Sequence, residues 1–378
     1  MENTKLFNPS QITSARIARG MTMKELAEAT GISRQMISNY ESGKTVPKAE
    51  NMLKIISELN FPKSFFSSEK PTLHQGVTYF RSQSAATKKV RDMQKEHLSF
   101  ANMIYNKLSF YVNFPTARLP ELLDKEIEDI TEAEIIQKSV ELRKLWGFDL
   151  HSPIKNLIST AERNGVLIVE AKMSHDKLDA VSRWIVDRPF IMLTDNDESL
   201  VRRRFNIAHE LGHLILHNAV ESIHELSVTE MKLLERQAHL FASHFLLPTE
   251  AFMDSLLSTS LEFFIELKKH WHVSIQAMIY KTHQLGLIND DQRLYLQKKI
   301  AWNKWKKCEP LDNELAIERP TLLKKVYEMI IDNKVLSKNE LNRIFNLPIA
   351  ELEKMLNVKI SNEFEELIEM RPQLRLVK

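Results

Sequence analysis

The segment that most constrains the fold is FNIAHELGHLILHN, at residues 205–218. Its apolar residues recur with helical spacing, and His209 and His213 stand four positions apart. Side chains at i and i+4 lie on the same face of a helix, so both imidazoles can bind one Zn(II) ion. Glu210 lies on another face, but its carboxylate can reach a water at the metal and take its proton. We therefore predict a helix that carries part of a zinc site, with Glu210 as general base.

A later segment, LLERQAHLFASHFLLP (residues 233–248), has the pattern of a second amphipathic helix. An antiparallel return of this helix would bring Glu235 to the metal as a third ligand. Three protein ligands and one open position are typical of hydrolytic rather than structural zinc sites. His239 follows Glu235 by one turn, and we predict that it orients a ligand without binding the metal itself.

Other histidines compete for the ligand role. His217 continues the i+4 series, but it lies about 80° around the helix from His209, so three ligands on one straight helix would be strained. For His217, His224, His239 and His244, an ordinary place in the core or on the surface remains equally open.

Composition limits the ligands and the compartment. Cys308 is the sole cysteine, so an internal disulfide is impossible and a metal must be bound by histidines and carboxylates. The N-terminal residues lack a signal-peptide pattern, and no apolar run approaches the roughly 18–20 residues of a membrane span. We therefore expect a cytoplasmic protein without membrane contact. The net charge of +2 is too small to indicate nucleic-acid binding, so that prediction needs a local motif.

Such a motif lies in KELAEATGISRQMISNYESGK, at residues 24–44. The pattern predicts two helices joined by a tight turn at Gly31. The residues expected to pack them are Leu26, Ala27 and Ala29 in the first helix and Ile37 and Tyr40 in the second. The outward side chains of the second helix are types that read base edges, namely Arg34, Gln35, Ser38 and Asn39.

Thr22 and Lys44 flank this motif and are predicted to contact DNA phosphates. The alternative is a small helical bundle whose polar face docks a protein. Residues 10–61 as a whole, however, resemble the Xre or Cro/C1 family of phage-repressor-like helix-turn-helix domains. The matching pieces are SQITSARIARGMTMKELAEATGIS, RQMISNYESGKTVP and the spacing of MLKIISELN. This resemblance implies binding of an operator in double-stranded DNA, with a homodimer on a pseudo-palindromic site.

The two metal-site segments, RRRFNIAHELGHLILH and ERQAHLFASHFLLP, resemble the ImmA/IrrE family of metallopeptidases. The likeness covers roughly residues 75–290. It implies that His209, His213 and Glu235 bind zinc and that Glu210 is the general base. The sequence departs from the family at Asn206, often Thr, at Ala180, where Gly usually follows Asp179, and at His239, usually Asn.

The predicted fold is mainly α with a small β-sheet, whose strands are expected within residues 165–171 and 188–195. We predict a five-helix DNA-binding domain at residues 1–66, a linker at 67–80 and an α+β, zincin-like peptidase domain at 81–295. A helical region at 296–378 is expected to serve interaction or dimerisation. It contains a second helix-turn-helix-like element, LSKNELNRIFNLPIAELEKML.

Two functional hypotheses follow. In the first, the protein is a DNA-binding regulator and an endopeptidase that cleaves a partner repressor, which the resemblance connects with mobile-element, phage-defence or stress genes. In the alternative, the peptidase-like domain only senses a metal or ligand, or serves an antitoxin-type regulator. Glu210 favours the first hypothesis, because a metal sensor needs no base beside its two histidines.

Overall fold

The computed structural model describes residues 7–69, 78–80, 88–171, 180–194, 198–220 and 225–360. Most of the predicted linker lies outside these ranges, as do Asp179 and His224. The N-terminal domain has the five predicted helices, of which the fifth is a 3₁₀ helix. They span Pro9–Ala18 (α1), Met23–Thr30 (α2), Arg34–Glu41 (α3), Ala49–Leu59 (α4) and Lys63–Ser67 (3₁₀).

The turn between α2 and α3 follows from local chemistry. Thr22 begins α2 with a reciprocal cap, because its hydroxyl accepts from the Glu25 amide at 3.1 Å and the Glu25 carboxylate accepts from the Thr22 amide at 2.6 Å. Gly31 ends α2 with φ of 67°, a left-handed conformation that glycine adopts without strain. Leu26, Ile37 and Tyr40 are buried as predicted. The prediction for Ala29 is wrong, since it is exposed on the outer side of α2.

A four-stranded sheet lies at the centre of the molecule, with strand order β1-β3-β4-β2. The β2 and β4 strands are parallel and lie within the two predicted segments, whereas β1 and β3 are additional and pair antiparallel. The strands span Thr78–Phe80 (β1), Leu167–Ala171 (β2), Ala180–Ile185 (β3) and Arg188–Thr194 (β4).

Alternate residues of the sheet enter two different cores, as the two-residue period of a strand requires. In the first core, Leu167, Phe190 and Met192 pack with the N-terminal helices and with α5 (Lys88–Ser109). In the second core, Ile168 and Leu193 pack with the helices that carry the predicted metal site. The sheet therefore separates the packing of the DNA-binding helices from that of the candidate metal centre.

The helices of the second core follow α5 in the chain. Among the described helices, none is long and apolar enough to cross a membrane. They span Glu132–Leu145 (α6), Leu157–Arg163 (α7), Leu200–Leu216 (α8), Val228–Leu246 (α9), Thr249–Ser255 (α10), Leu261–Trp271 (α11), Ile275–Gln284 (α12) and Asp290–Trp302 (α13).

Three C-terminal helices return to the first core. They are Leu322–Asp332 (α14), Lys338–Phe345 (α15) and Ile349–Leu356 (α16), and their apolar sides are buried beside the N-terminal domain. Arg19 Nη1 lies 2.6 Å from Glu351 Oε1, which joins α1 to α16. These helices pack within the chain, and a role for this region in dimerisation stays a prediction.

The connection from α13 to α14 is fixed by carboxylates at helix N-termini, where unpaired main-chain amides favour an acceptor. Glu309 accepts from the Ile275 amide of α12 at 2.8 Å, and Glu318 accepts from the Leu157 amide of α7 at 2.9 Å. Glu162 in turn accepts from the Leu322 amide of α14 at 2.9 Å. This connection therefore links the second core to the C-terminal helices.

Candidate metal centre and DNA-binding surface

Helix α8 places the two histidines of the HELGH segment inside the second core. Its apolar residues Ile207, Leu211 and Leu214 are fully buried and fix the helix against the sheet and its neighbours. His209 and His213 are also fully buried, and their Nε2 atoms are 2.9 Å apart. The predicted helix and the predicted juxtaposition of the imidazoles are therefore both present.

Helix α9 brings a carboxylate to the same point. It begins with a capping box, in which the Glu230 carboxylate accepts from the Ser227 amide at 2.6 Å. The Glu230 carboxylate is thus engaged in capping the start of α9. Five residues further along α9, Glu235 places Oε2 at 3.4 Å from His209 Nε2 and Oε1 at 3.7 Å from His213 Nε2.

The close approach of α8 and α9 depends on Gly212. A Cβ atom at this position would lie 3.2 Å from the Phe241 Cβ and 3.3 Å from the Ala238 Cα. Such distances are tight, and the Ala238 contact is with main chain that cannot rotate away. A larger residue at Gly212 would therefore push α9, and Glu235 with it, away from the two histidines.

The three side chains fit a zinc ion. Bonds of about 2.0–2.1 Å at tetrahedral angles place ligand atoms roughly 3.3 Å apart. The separations between the donor atoms are 2.9 Å, 3.4 Å and 3.7 Å, which scatter around that value. Two imidazole nitrogens and one carboxylate oxygen also form a donor set that hydrolytic zinc enzymes use.

A buried chain of hydrogen bonds lies behind His213. Gln237 Nε2 donates to the Ile127 carbonyl at 2.8 Å, so its Oε1 is the atom that faces His217 Nε2 at 3.0 Å and accepts from it. The Nδ1 atom of His217 is then the acceptor for Nδ1–H of His213, at 3.0 Å. This order leaves the His213 Nε2 lone pair directed towards His209 and Glu235, as a metal ligand requires.

Burial lowers the pKa of His217 to about 4, despite the opposing hydrogen bond with Gln237. The ring is therefore neutral near pH 7, as its acceptor role towards His213 requires. The sequence suggested His217 only as a competing ligand or an ordinary core residue, and it indicated no role for Gln237. Gln237 is a polar residue on a buried helix, two positions after Glu235, and this pattern could have indicated a role in the site. The direction of its side chain, however, depends on how α8 and α9 cross.

His239 lies at the solvent side of the cluster. Its Nδ1 is 2.8 Å from the Glu235 carbonyl, and its ring is 4.6 Å from the ring of His209. His209, Glu235 and His239 offer ligand atoms that all lie within 4.8 Å of one another. His244 is elsewhere, with Nδ1 at 3.3 Å from Thr249 Oγ1, and burial together with the charge of Lys281 lowers its pKa to about 4.

Glu210 is fully buried beside His209 on α8. Its main-chain carbonyl accepts from Ser182 Oγ at 3.4 Å, which ties this turn of α8 to β3. Two positions that depart from the family pattern lie in the supporting framework. Asn206 is buried and donates to Glu198 Oε2 at 2.7 Å, and Ala180 is buried at the start of β3 opposite Leu193.

The candidate DNA-binding residues lie on and beside α3. Arg34 and Gln35 are exposed near its N-terminus, and Ser38 and Asn39 are half-buried one turn later. Gln35 Nε2 donates to Asn39 Oδ1 at 3.4 Å, a weak contact that a base edge could replace. Thr22 and Lys44 are both exposed, at the start of α2 and in the turn after α3.

Comparisons with known proteins identify both parts of this arrangement. Residues 12–66 match a family described as helix-turn-helix. Residues 161–283 match a peptidase family described as the IrrE N-terminal-like domain. The chain joins a helix-turn-helix domain to an IrrE-like domain. The resemblance noted in the sequence is thereby confirmed, and the IrrE-like match includes α8 and α9 with His209, Glu210, His213 and Glu235.

Individual relatives match a smaller part of the chain. The HTH-type transcriptional regulator SutR of Escherichia coli (strain K12) is 37% identical over 68 residues, which cover 18% of this chain and 38% of the relative. An uncharacterized HTH-type transcriptional regulator of Sinorhizobium medicae (strain WSM419) is 36% identical over 77 residues, which cover 19% and 55%. The chain thus spans about two fifths to about half of the length of these relatives.

Proposed function

We propose that the protein is a cytoplasmic DNA-binding transcriptional regulator whose IrrE-like domain is a zinc-dependent endopeptidase. Its substrate would be a partner regulatory protein, a repressor, whose cleavage releases a target operon. The observation that carries this proposal is the convergence of His209, His213 and Glu235 from two helices, with Glu210 beside them on α8.

In this proposal, His209, His213 and Glu235 hold the ion, and the hydrogen-bond chain behind His213 fixes its imidazole. When bound, the ion supplies Lewis-acid activation of water and of the scissile carbonyl. Glu210 accepts the proton of the attacking water and passes it to the leaving amine. Burial of His209, His213 and Glu210 keeps bulk water from these side chains, so their electrostatic interactions are less screened than at the surface.

The helix-turn-helix domain would deliver this activity to an operator. Arg34, Gln35 and Asn39 are proposed to read base edges from α3, Ser38 to support them, and Thr22 and Lys44 to contact phosphates. With one such domain in each chain, a homodimer on a pseudo-palindromic operator is the expected assembly.

The variant Glu210→Gln tests the peptidase half. It keeps the size and polarity of the side chain but removes the base, so cleavage of the repressor should fall by about 10²- to 10⁴-fold. Zinc content and operator binding should not change. The measurement is repressor cleavage by purified protein, with induction of the target operon in cells and Glu266→Gln, exposed on α11, as the control. Normal induction in a Glu210→Gln strain would replace the peptidase with the non-proteolytic sensor.

The DNA-binding half is tested by replacing Arg34, Gln35 and Asn39 together with Ala. Preference for the promoter of the chain's own gene should disappear, while nonspecific binding weakens less. A matched triple variant on the exposed side of α4, at Lys54, Ser57 and Glu58, should keep the footprint. A footprint unchanged by the α3 triple variant would overturn this assignment.

A further inference from the structure

Helices α8 and α9 each present two metal-binding residues with the same spacing. His209 and His213 stand at i and i+4 on α8, and Glu235 and His239 stand at i and i+4 on α9. Residues with this spacing lie one above the other on a helix face. Two packed helices that each direct such a pair at the other can provide four ligands to one ion, as in metal sites within helical bundles.

The hydrogen bonding of His239 determines which of its nitrogens is available. The Glu235 carbonyl lies 2.8 Å from Nδ1 and can only accept, so Nδ1 carries the proton. The neutral ring therefore has its lone pair on Nε2. A carbonyl that fixes the tautomer of a histidine in this way is a usual companion of a metal-bound imidazole.

The neighbours of His239 keep its ring at the cluster. Its centroid lies 4.6 Å from that of His209 at an interplanar angle of 79°, and 5.5 Å from that of Phe205. With His209 and Glu235 it forms the group of ligand atoms that lie within 4.8 Å of one another. His239 is exposed, in contrast to His209 and His213, so it stands on the side from which a substrate would enter.

The sequence predicted that His239 only orients a ligand; we propose instead that it is a fourth protein ligand, which closes the metal site in the resting protein. This inference rests on the proposed function, because it assumes the ion held by His209, His213 and Glu235. Four protein ligands complete a tetrahedral shell and leave no position for water. Because His239 is exposed, its ring can turn outward and leave the position open. The resting endopeptidase would then be latent, and its activation would require the departure of His239.

The test uses the full-length protein freed of metal, with Zn²⁺ and Co²⁺ as probes. His239→Asn and His239→Ala should bind Zn²⁺ at least about tenfold more weakly than the wild type, and their Co²⁺ absorption bands should shift. Acetohydroxamate, a small metal chelator, should alter the Co²⁺ spectrum of both variants at concentrations that leave the wild-type spectrum unchanged. His151→Asn, at an exposed histidine outside the cluster, should behave as the wild type.

The acetohydroxamate response separates a ligand from a residue that only positions Glu235, since loss of a positioning residue opens no coordination position. Equal Zn²⁺ affinities and equal acetohydroxamate responses in the wild type and both His239 variants would overturn the fourth ligand. If His213→Ala also binds Zn²⁺ as tightly as the wild type, the metal site of the proposed function is wrong as well. Urea denaturation of each metal-free variant, compared with the metal-free wild type, shows that it is folded.

Discussion

The two faces of the sheet bury similar apolar side chains but use buried polar groups differently. In the first core these groups lie where separate segments meet: Ser14 of α1 bonds to Glu96 of α5, and His97 of α5 lies 3.6 Å from Glu351 of α16. In the second core, one set of buried polar residues lies together at the candidate metal centre, namely His209, Glu210, His213, His217 and Gln237. Buried polar contacts therefore join the DNA-binding domain to the rest of the chain on one face of the sheet. On the other face, buried polar residues form the candidate metal centre.

Adjacent residues of β4 allow the two cores to be weakened separately. Met192 faces the first core and Leu193 the second, and both are buried. Met192→Ala and Leu193→Ala should each lower the free energy of unfolding by about 2–5 kcal/mol, as measured by urea denaturation. Met192→Ala should weaken operator binding more than zinc binding, and Leu193→Ala should do the reverse. Equal effects of both variants on both activities would mean that the cores act as one unit.

Gln237 tests the second core at the site itself. Gln237→Ala removes the acceptor that orients His217 and, through it, His213, so zinc affinity should fall by about 10- to 100-fold. His217→Ala should have a similar effect, and the double variant should add little, because both residues act through one chain of bonds. Competition with a chelator measures the affinity, and Gln297→Ala, on the exposed side of α13, is the control. Additive losses of zinc affinity in the double variant would contradict a single chain of hydrogen bonds through Gln237 and His217.

Glu351 tests the first core at its boundary with the DNA-binding domain. Glu351→Ala removes the partner of Arg19 and the neighbour of His97. The free energy of unfolding should fall by about 1–2 kcal/mol, which lies between the values for surface and for buried ion pairs. Zinc affinity should stay unchanged, and operator binding should weaken. Glu328→Ala, on the exposed side of α14, is the matched control. A loss of zinc by Glu351→Ala would show that the two cores are coupled through the sheet.

The smallest expected effect concerns His244, which is half-buried near the C-terminal end of α9. Its pKa is lowered to about 4 in the folded protein, against about 6.5 in an unfolded chain. Between these values the unfolded state binds more protons, so stability rises with pH from 4 to 6.5. His244→Asn should reduce the slope of the free energy of unfolding against pH in this range. The reduction should correspond to at most one proton. A curve of unchanged slope would show that His244 does not titrate in this way.

Much of the fold can be predicted from the sequence, because local residue patterns determine where several of its elements form or end. The periodicity of α8 and the glycine at position 31 each predict their element correctly. The hairpin between β3 and β4 was missed, because its two-residue turn contains Val186 with φ of 59° and Asp187. A β-branched residue is rarely found in that conformation, and no Asn-Gly or Gly signal marks the turn.

The candidate site likewise has a part that the sequence predicts and a part that it does not. The spacing of His209 and His213 fixes their relation within one helix, so sequence alone predicts it. The approach of Glu235 depends on a loop and on close packing at Gly212. The amphipathic pattern of its helix suggested an antiparallel return to the metal, and the family resemblance implied the same ligand, but neither fixed the distance. The contact of Gln237 with His217 and the place of His239 depend on the crossing of α8 and α9, which periodicity does not determine.

The return of α14–α16 to the first core has a consequence for protein synthesis. Arg19 and Glu351 are separated by 332 positions in the chain, so this core has contacts of very high sequence separation, which form late. A ribosome that has not yet released residues 322–360 presents α5 with part of its apolar surface bare, and such surfaces attract chaperones or other unfinished chains. Truncated products should therefore be removed as misfolded protein before they can compete with complete molecules for the operator.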